Sequence, residues 1–215
     1  MDNFIQELEE DLRRDRYMAL WQKYGRFAVA LALLVVIAVA GWVMWRHYQT
    51  NQRFADSMAY NAALLAAESG PEAGLAALGD LAKSGGETYA LLARLQQAAL
   101  MVRGDKQQDA VAMYDAIAAD SAVAPMFRDL ATVLRVQVLL DSGDPAELTG
   151  RLAPLTGARS AWRYTALELT ALLALRADDK AKARELYTTL ADDPTTPRQM
   201  RGRAAEMLGV LGAQG

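Results

Sequence analysis

The sequence has no cysteine, and His47 is its one histidine among 215 residues. Without cysteine there is no disulfide framework, no thiolate metal site and no cysteine nucleophile. A serine triad needs a histidine beside its nucleophile, and a zinc site usually has two or more histidine or cysteine ligands. We therefore expect no enzymatic activity, no cofactor and no resident metal. A membrane-tethered enzyme is the weakest of three hypotheses, and hydrolase turnover would support it.

Aromatic residues are scarce, at 7%, whereas alanine makes up about a fifth of the chain. This composition favours closely packed helices over a β-sandwich or barrel. The net charge of -3 gives no indication of a nucleic-acid surface. The Gly85-Gly86 pair lacks the lysine and spacing of a phosphate-binding loop, and we interpret it as a turn. The expected partners are proteins, with no nucleic acid and no small-molecule substrate.

Residues 27–45 read FAVALALLVVIAVAGWVMW, a run of 19 residues without a charge. At the helical rise it spans roughly 28 Å, close to the ~30 Å thickness of the hydrocarbon core of a bilayer. The bulky residues at its end do not fit a signal-peptide cleavage site, so an uncleaved transmembrane helix is predicted. Aromatic residues stand near both ends, as in a membrane-interface belt: Trp21, Tyr24, Trp42, Trp45 and Tyr48.

Basic residues are more frequent before the apolar run than after it. Arg13, Arg14, Arg16, Lys23 and Arg26 precede it, and Arg46 and Arg53 follow within a similar distance. The positive-inside rule then places the N-terminus in the cytoplasm and the rest outside, which in a Gram-negative cell is the periplasm. We interpret His47, just beyond the run, as a residue of the membrane interface.

Four segments follow from this topology. We predict a cytoplasmic helical tail over 1–26, a transmembrane helix over 27–45, a juxtamembrane helical connector over 46–57 and a periplasmic domain over 58–215. In the tail, acidic residues precede basic ones, an order that suits a helix dipole. The tail is either a solvated helix or a docking helix, and in the second case Arg13, Arg14 and Arg16 are candidate partner contacts.

The periplasmic segment shows helical periodicity with an internal repeat. Turns at Gly104-Asp105, Gly143-Asp144 and Asp178-Asp179 lie 39 and 35 residues apart. An aromatic residue starts the helix before each turn: Tyr89, Phe127 and Trp162. Two of the turns are followed by matching sets at four-residue spacing, namely Ala110, Tyr114 and Ala118, and Ala183, Tyr187 and Ala191. This is the tetratricopeptide pattern of paired helices, and the predicted fold is an all-α protein with a tetratricopeptide-repeat-like α-solenoid.

Two parts of the repeat depart from the pattern. After Gly143-Asp144, residues 145–153 are few and Leu148, Leu152 and Leu155 replace the alanine and aromatic set, so we expect a truncated or irregular second helix. The last helix, roughly 197–211, is predicted to cap the final apolar face. Its polar side carries three further candidate partner contacts, Arg198, Arg201 and Arg203. The acidic pairs Asp178-Asp179 and Asp192-Asp193 lie at helix boundaries, and we interpret them as caps rather than cation ligands.

Tail, apolar run and repeats together resemble a known family. The chain is similar to the YfgM-like ancillary subunits of the Sec translocon. The similarity lies in Asp11-Leu12-Arg13-Arg14-Asp15-Arg16, in Leu20-Trp21-Gln22-Lys23-Tyr24-Gly25 before the apolar run, and in the repeat turns. The resemblance implies a single-span inner-membrane protein with a periplasmic tetratricopeptide domain. It also implies two partners, the SecYEG translocon and a membrane-anchored periplasmic chaperone.

The leading hypothesis is therefore a non-enzymatic, membrane-anchored interaction subunit that serves protein export. A second hypothesis is a membrane-anchored tetratricopeptide scaffold for another envelope assembly, such as outer-membrane biogenesis or cell division. Repeats and anchor fit both hypotheses, because tetratricopeptide solenoids carry many functions. The resemblance of the segment Leu20-Trp21-Gln22-Lys23-Tyr24-Gly25, just before the apolar run, favours the export hypothesis over the second one.

Overall fold

The computed structural model describes the backbone of Asp2–Ala213 and the side chains of Phe27, of residues 29–31 and of residues 33–212. Helices account for 83% of the chain, and no strand occurs in Asp2–Ala213, which confirms the predicted all-α class. In chain order the helices are α1 (Asp2–Ser69), α2 (Pro71–Ser84), α3 (Glu87–Arg103), α4 (Gln107–Ala119), α5 (Pro125–Val138), α6 (Pro145–Leu152), α7 (Arg163–Arg176), α8 (Lys180–Asp192) and α9 (Arg198–Ala213), with a 3₁₀ turn at Ala153–Leu155 after α6.

The chain divides into two units, Met1–Ala55 and Asp56–Gly215. The first unit consists of the greater part of α1. Its large apolar side chains are exposed wherever the structure describes them, as at Leu34 and Ile37. Within the described residues, α1 is the helix long and apolar enough to cross a membrane, by length and composition.

The second unit is built from consecutive helix pairs. Four buried clusters follow one another along it, and each cluster joins three successive helices: α1 to α3, α3 to α5, α5 to α7, and α7 to α9. A helix pair of this kind buries its apolar face only against its neighbours, which is the packing of a solenoid. Small buried residues at the crossings, such as Ala98 and Ala171, let the helices approach closely.

The matching alanine and tyrosine residues of the two repeats lie in these clusters. Ala110 and Tyr114 are buried in one, and Ala183 and Tyr187 occupy the corresponding places 73 residues later. Burial raises the pKa of both tyrosine hydroxyls, Tyr114 and Tyr187. The structure thus confirms that the two matching sets fill the cores of equivalent pairs.

The tight turns at Asp105 and Asp178 are also equivalent, but the residues that correspond are not those that the sequence predicted. Asp105 and Asp178 both adopt left-handed conformations, with φ of 58° and 59°. In each turn the next residue donates its N–H to a carbonyl five residues back, Lys106 to Met101 and Asp179 to Ala174. This is the Schellman ending of a helix. Asp178 therefore corresponds to Asp105, whereas the predicted repeat spacing matched Asp178 with Gly104.

The middle pair has the predicted truncated second helix. Helix α6 has 8 residues and ends in the 3₁₀ turn, and its Leu148 and Leu152 are fully buried against α5 and α7. Asp144 caps it, because its carboxylate accepts the N–H groups of Ala146 and Glu147 at 3.3 Å each. Arg176 from α7 donates to the carbonyl oxygens of Leu140 and Gly143 and so secures the turn before α6.

An ion network links α6 to the two helices before it. Arg135, only 8% exposed, places Nε 2.9 Å from Asp115 on α4 and Nη2 3.3 Å from Glu147 on α6. Arg151 lies 3.1 Å from the same Asp115 and 2.6 Å from the same Glu147. The hydrogen bond from Arg151 is the main cause that lowers the pKa of Glu147, with help from Arg135. Two cations and two anions thereby join three successive helices.

Candidate functional site

A cleft of about 390 Å³ opens between the first turns of α3 and α5. We call it the α3–α5 cleft, and it is lined by Ala82, Glu87, Thr88, Ala90, Leu91, Leu92, Arg94, Asp120, Ala122, Val123, Ala124 and Phe127. Most of this lining is apolar, with a few charged or hydroxyl groups. The volume lies in the lower part of the range for ligand pockets, which is roughly 300–1,000 Å³.

The apolar floor of the cleft is continuous with the core of its helix pair. Val123 is buried, and Leu91 and Phe127 are half-buried against the cluster that contains Tyr114 and Ile117. Packing on this side fixes the rotamers of the floor residues. Leu92 lines the cleft and belongs to none of the buried clusters of the described residues, so it is free to contact a partner.

Long-range hydrogen bonds hold the α3 wall in place. Asp56 on α1 accepts the N–H of Gly86, directly before α3, at a distance of 2.9 Å. Gln97 on α3 donates to the carbonyl oxygen of Leu75 on α2 at 3.0 Å. These bonds anchor α3 at its start and at its middle, so the cleft wall is set before any partner binds.

The polar rim of the cleft is an ion pair. Arg94 on α3 places Nη1 3.2 Å from Oδ2 of Asp120, the C-cap residue directly after α4. The other carboxylate oxygen of Asp120 accepts the N–H of Ala122 at 3.1 Å. The backbone hydrogen bond from Ala122, together with Arg94, lowers the pKa of Asp120, so this carboxylate is ionised at neutral pH. Glu87 adds an exposed carboxylate beside the pair.

The same arrangement recurs in the last helix pair. Asp193, 73 residues after Asp120, is the C-cap residue directly after α8. It accepts the N–H of Thr195 at 2.8 Å and pairs with Arg163 at 2.9 Å. Hydrogen bonds from Thr195 are the largest cause that lowers the pKa of Asp193, followed by Arg163. The sequence predicted Asp193 as a cap, whereas neither ion pair was predicted. The signal that could have revealed them is the shared 73-residue spacing of Asp120 and Asp193.

In the other acidic pair, Asp178-Asp179, the residue whose side chain acts as the predicted cap is Asp179. Its carboxylate accepts the N–H of Lys182 at 2.9 Å at the start of α8. In the described part of the chain, no group of three or more histidine, cysteine, aspartate or glutamate residues is placed to hold a metal ion.

The predicted interface aromatics fall in the first unit. Trp42, Trp45 and Tyr48 are 59%, 64% and 64% exposed, so their rings are available to a surrounding phase. The guanidinium of Arg46 lies 5.3 Å from the ring centroid of Trp42, a cation–π contact. Trp21 and Tyr24, as well as the tail residues Arg13, Arg14 and Arg16, lie outside the residues whose side chains the structure describes.

The three arginines predicted on the polar side of α9 differ in their contacts. Arg203 donates two parallel hydrogen bonds to Glu168 on α7, at 2.8 and 2.9 Å. Arg201 is half-buried and donates to the carbonyl oxygen of Pro194 at 3.4 Å. Arg198 is exposed. The fork of Arg203 on Glu168 fastens α9 to α7, so Arg203 already serves the capping of the solenoid.

The lone histidine also has a local partner. His47 places Nε2 3.1 Å from the side-chain nitrogen of Asn51, one turn further along α1. The lining of the α3–α5 cleft includes no histidine, cysteine, serine or lysine. An apolar floor with a charged rim is instead suited to bind an apolar side chain of a protein partner.

Comparison with known families agrees with the pairing of the helices. The profile of the tetratricopeptide repeat-like domain matches residues 18–201, which is most of the chain. The chain belongs to this family. No curated protein and no solved structure gave a significant match.

Members of the tetratricopeptide repeat-like family are protein-interaction modules. The chain therefore carries a scaffold for protein–protein contact, as the repeats predicted. Its matched region begins within α1 and ends in α9, so it includes three of the four buried clusters whole and the α7 and α8 part of the fourth.

Proposed function

We propose that the chain is a non-enzymatic inner-membrane subunit that presents its tetratricopeptide-like unit to protein partners in the periplasm. The observation that carries the proposal is helix α1. This one helix contains both the uncharged 19-residue run and, in Tyr60, Ala63 and Ala67, residues of the first core cluster of the repeats. A module that begins on a membrane-spanning helix meets membrane-bound partners at a raised effective concentration.

Protein export is the process that we propose for it. The segment Leu20-Trp21-Gln22-Lys23-Tyr24-Gly25 and the tail support this choice through their resemblance to YfgM-like subunits. The proposed partners are the SecYEG translocon and a membrane-anchored periplasmic chaperone, with lipid around the single span. Arg13, Arg14 and Arg16 are proposed contacts of the cytoplasmic tail, and Arg198 is a proposed contact on α9.

The α3–α5 cleft is the proposed contact surface of the repeats. Its apolar floor and the Arg94–Asp120 rim suit a partner segment that inserts an apolar side chain. A photo-crosslinking residue at Thr88, which lines the cleft, should capture translocon or chaperone components in cells. The same residue at exposed Ala112 on α4 is the matched control and should capture none. Equal capture at both positions would refute the cleft as the contact surface.

A second experiment separates export from another envelope assembly. Replacing residues 1–45 by an unrelated single-span anchor should abolish co-purification with translocon components if the tail and span recruit them. Full retention of the same partners would instead assign recruitment to the repeats alone, as expected of a general scaffold.

The topology itself has a direct test. Protease added to spheroplasts should digest the second unit while the cytoplasmic tail stays protected. A second unit that resists digestion in spheroplasts, but not after the membrane is dissolved, would place it in the cytoplasm and end the proposal.

A further inference from the structure

Between Asp56 and Glu68, helix α1 has one face packed into the second unit and one face exposed. On the packed face, Ala63 is buried and the ring of Tyr60 lies 6.1 Å from that of Tyr89 on α3. On the opposite face, Met58 and Leu65 are 63% and 62% exposed. A helix at the surface of a soluble unit normally turns polar and charged residues outward.

This exposed face carries no charge. Residues 57–67 contain no lysine, arginine, aspartate or glutamate. Soluble domains have roughly one charged residue in four, concentrated on their surface. An uncharged helical face with two large exposed apolar side chains indicates an interaction surface.

The shape of the face is asymmetric in a way that favours a particular partner. With 100° of rotation per residue, Met58 and Leu65 form a ridge, whereas Ala59, Ala62 and Ala66 form a groove of small side chains beside it. Ala62 lies at the centre of the face, next to both. We call this surface, from residue 58 to residue 66, the α1 seam.

Symmetry shows which partner satisfies both halves of the seam. A two-fold axis parallel to the helices places the ridge of each copy in the groove of the other. An antiparallel pair would set ridge against ridge and leave the two grooves facing each other empty. A second copy that runs in the same direction is therefore complementary to this seam.

We propose that the α1 seam is a parallel homodimer interface, formed by a second copy of this chain. The parallel direction also rests on the proposed function, since two copies anchored in one membrane by α1 point the same way. The bulk of the second unit packs on the opposite face of α1, so it leaves room for the partner helix. The occupant of the seam is thus distinct from any partner of the α3–α5 cleft.

The absence of native cysteine makes disulfide trapping unambiguous. In the full-length chain in its membrane, Ala62→Cys should form an oxidised dimer of twice the chain mass, because the two Ala62 positions lie closest to the axis. Ser57→Cys, on the same helix but turned away from the seam, is the matched control and should stay monomeric. Adding Met58→Glu and Leu65→Glu to Ala62→Cys should remove most of the dimer, whereas adding Ser57→Glu should not.

Three results would overturn the seam proposal. The first is no oxidised dimer of Ala62→Cys, and the second is as much oxidised dimer of Ser57→Cys as of Ala62→Cys. The third is that Ala62→Cys forms its disulfide with another single-cysteine protein introduced alongside it, and not with a second copy of itself. Met58 and Leu65 are exposed, so their substitution leaves the fold intact, and an unchanged melting temperature checks this. Protease accessibility in the same spheroplasts reports the topology separately. A dimer with the wrong topology would refute the proposed function and leave the homodimer standing.

Discussion

At the scale of single residues, one close helix contact in the second unit depends on a missing side chain. A Cβ atom at Gly74 on α2 would lie 2.4 Å from Cβ and 2.5 Å from Cα of Ala67 on α1. The second of these atoms belongs to the backbone, so only a shift of one helix could relieve the overlap. Gly74 therefore sets how closely α2 packs on α1.

Substitution of Gly74 by alanine should lower the free energy of unfolding by about 1–3 kcal/mol, as overpacking does in other cores. Gly150→Ala on α6 is the matched control, because nothing lies within 4 Å of the added Cβ atom. That variant should gain up to about 1 kcal/mol, the usual advantage of alanine over glycine inside a helix. Chemical denaturation of both variants measures the difference, and equal effects would contradict the close approach.

Thr196 presents a different residue-scale feature, a buried polar atom without a partner. Its side chain is 2% exposed, and Oγ1 has no hydrogen-bond partner among the described residues. Thr196→Val removes this hydroxyl at nearly constant volume and should raise the free energy of unfolding by about 1 kcal/mol. Thr170→Val is the control. It should cost stability, because Thr170 Oγ1 donates to the carbonyl oxygen of Ala166 at 2.7 Å.

At the scale of elements, the two Schellman turns place an aspartate where the backbone favours glycine. Left-handed φ costs an L-residue roughly 1–2 kcal/mol, and less for aspartate. Asp105→Gly and Asp178→Gly should each stabilise the chain by up to about 1 kcal/mol. Asp105→Val and Asp178→Val should destabilise it, since a β-branched residue fits this region poorly. Melting curves of the four variants test the assignment, and an unfavourable effect of both glycines would contradict it.

The elements also show what sequence patterns can and cannot predict. The short α6 was foreseen because leucine spacing replaced the alanine and tyrosine set, a local signal. The Arg135 network was not foreseen, because Asp115, Arg135 and Glu147 meet only after three helices pack. Likewise, the register of the turn at Asp178 depends on its left-handed conformation, which the pair of adjacent aspartates leaves ambiguous.

The α3–α5 cleft was out of reach of the sequence for the same reason. Its floor residues were recognisable as helical apolar positions, and repeat periodicity predicted the pair to which they belong. Which of them stay accessible depends on the spacing between α3 and α5 and on the path of the loop at Asp120. Leu91 and Leu92 are neighbours in sequence, yet the first packs against the core and the second only lines the cleft.

At the scale of the whole molecule, several carboxylates make stability depend on pH. The folded state lowers the pKa of Asp120, Glu147 and Asp193. Each lowered pKa contributes stability above the pKa of the unfolded state, near 4, and this contribution is lost as the pH falls through the folded-state value. The melting temperature should therefore fall on acidification below about pH 4.

The combined variant Asp120→Asn and Asp193→Asn should flatten this acid dependence. It should also melt lower than the native chain at pH 7, where both ion pairs are complete. Asp80→Asn, an exposed carboxylate whose side chain makes no hydrogen bond in the described part of the chain, is the control and should leave the acid limb unchanged. An equal acid dependence in all three proteins would exclude the two capping aspartates as its source.

The chain of four cores, each shared by three successive helices, gives the molecule a direction of disassembly. A pull on the C-terminus would peel α9 away first, by opening the cluster around Tyr187, the paired hydrogen bonds of Arg203 to Glu168, and the hydrogen bonds of Arg184 to Leu211 and Arg201 to Pro194. The cluster around Leu78 and Ala93 would be the last to open when the helices unravel one after another from the C-terminus, since it joins α1 to α3. The fold therefore loses its helices in reverse order of synthesis, and the part nearest α1 outlasts the rest.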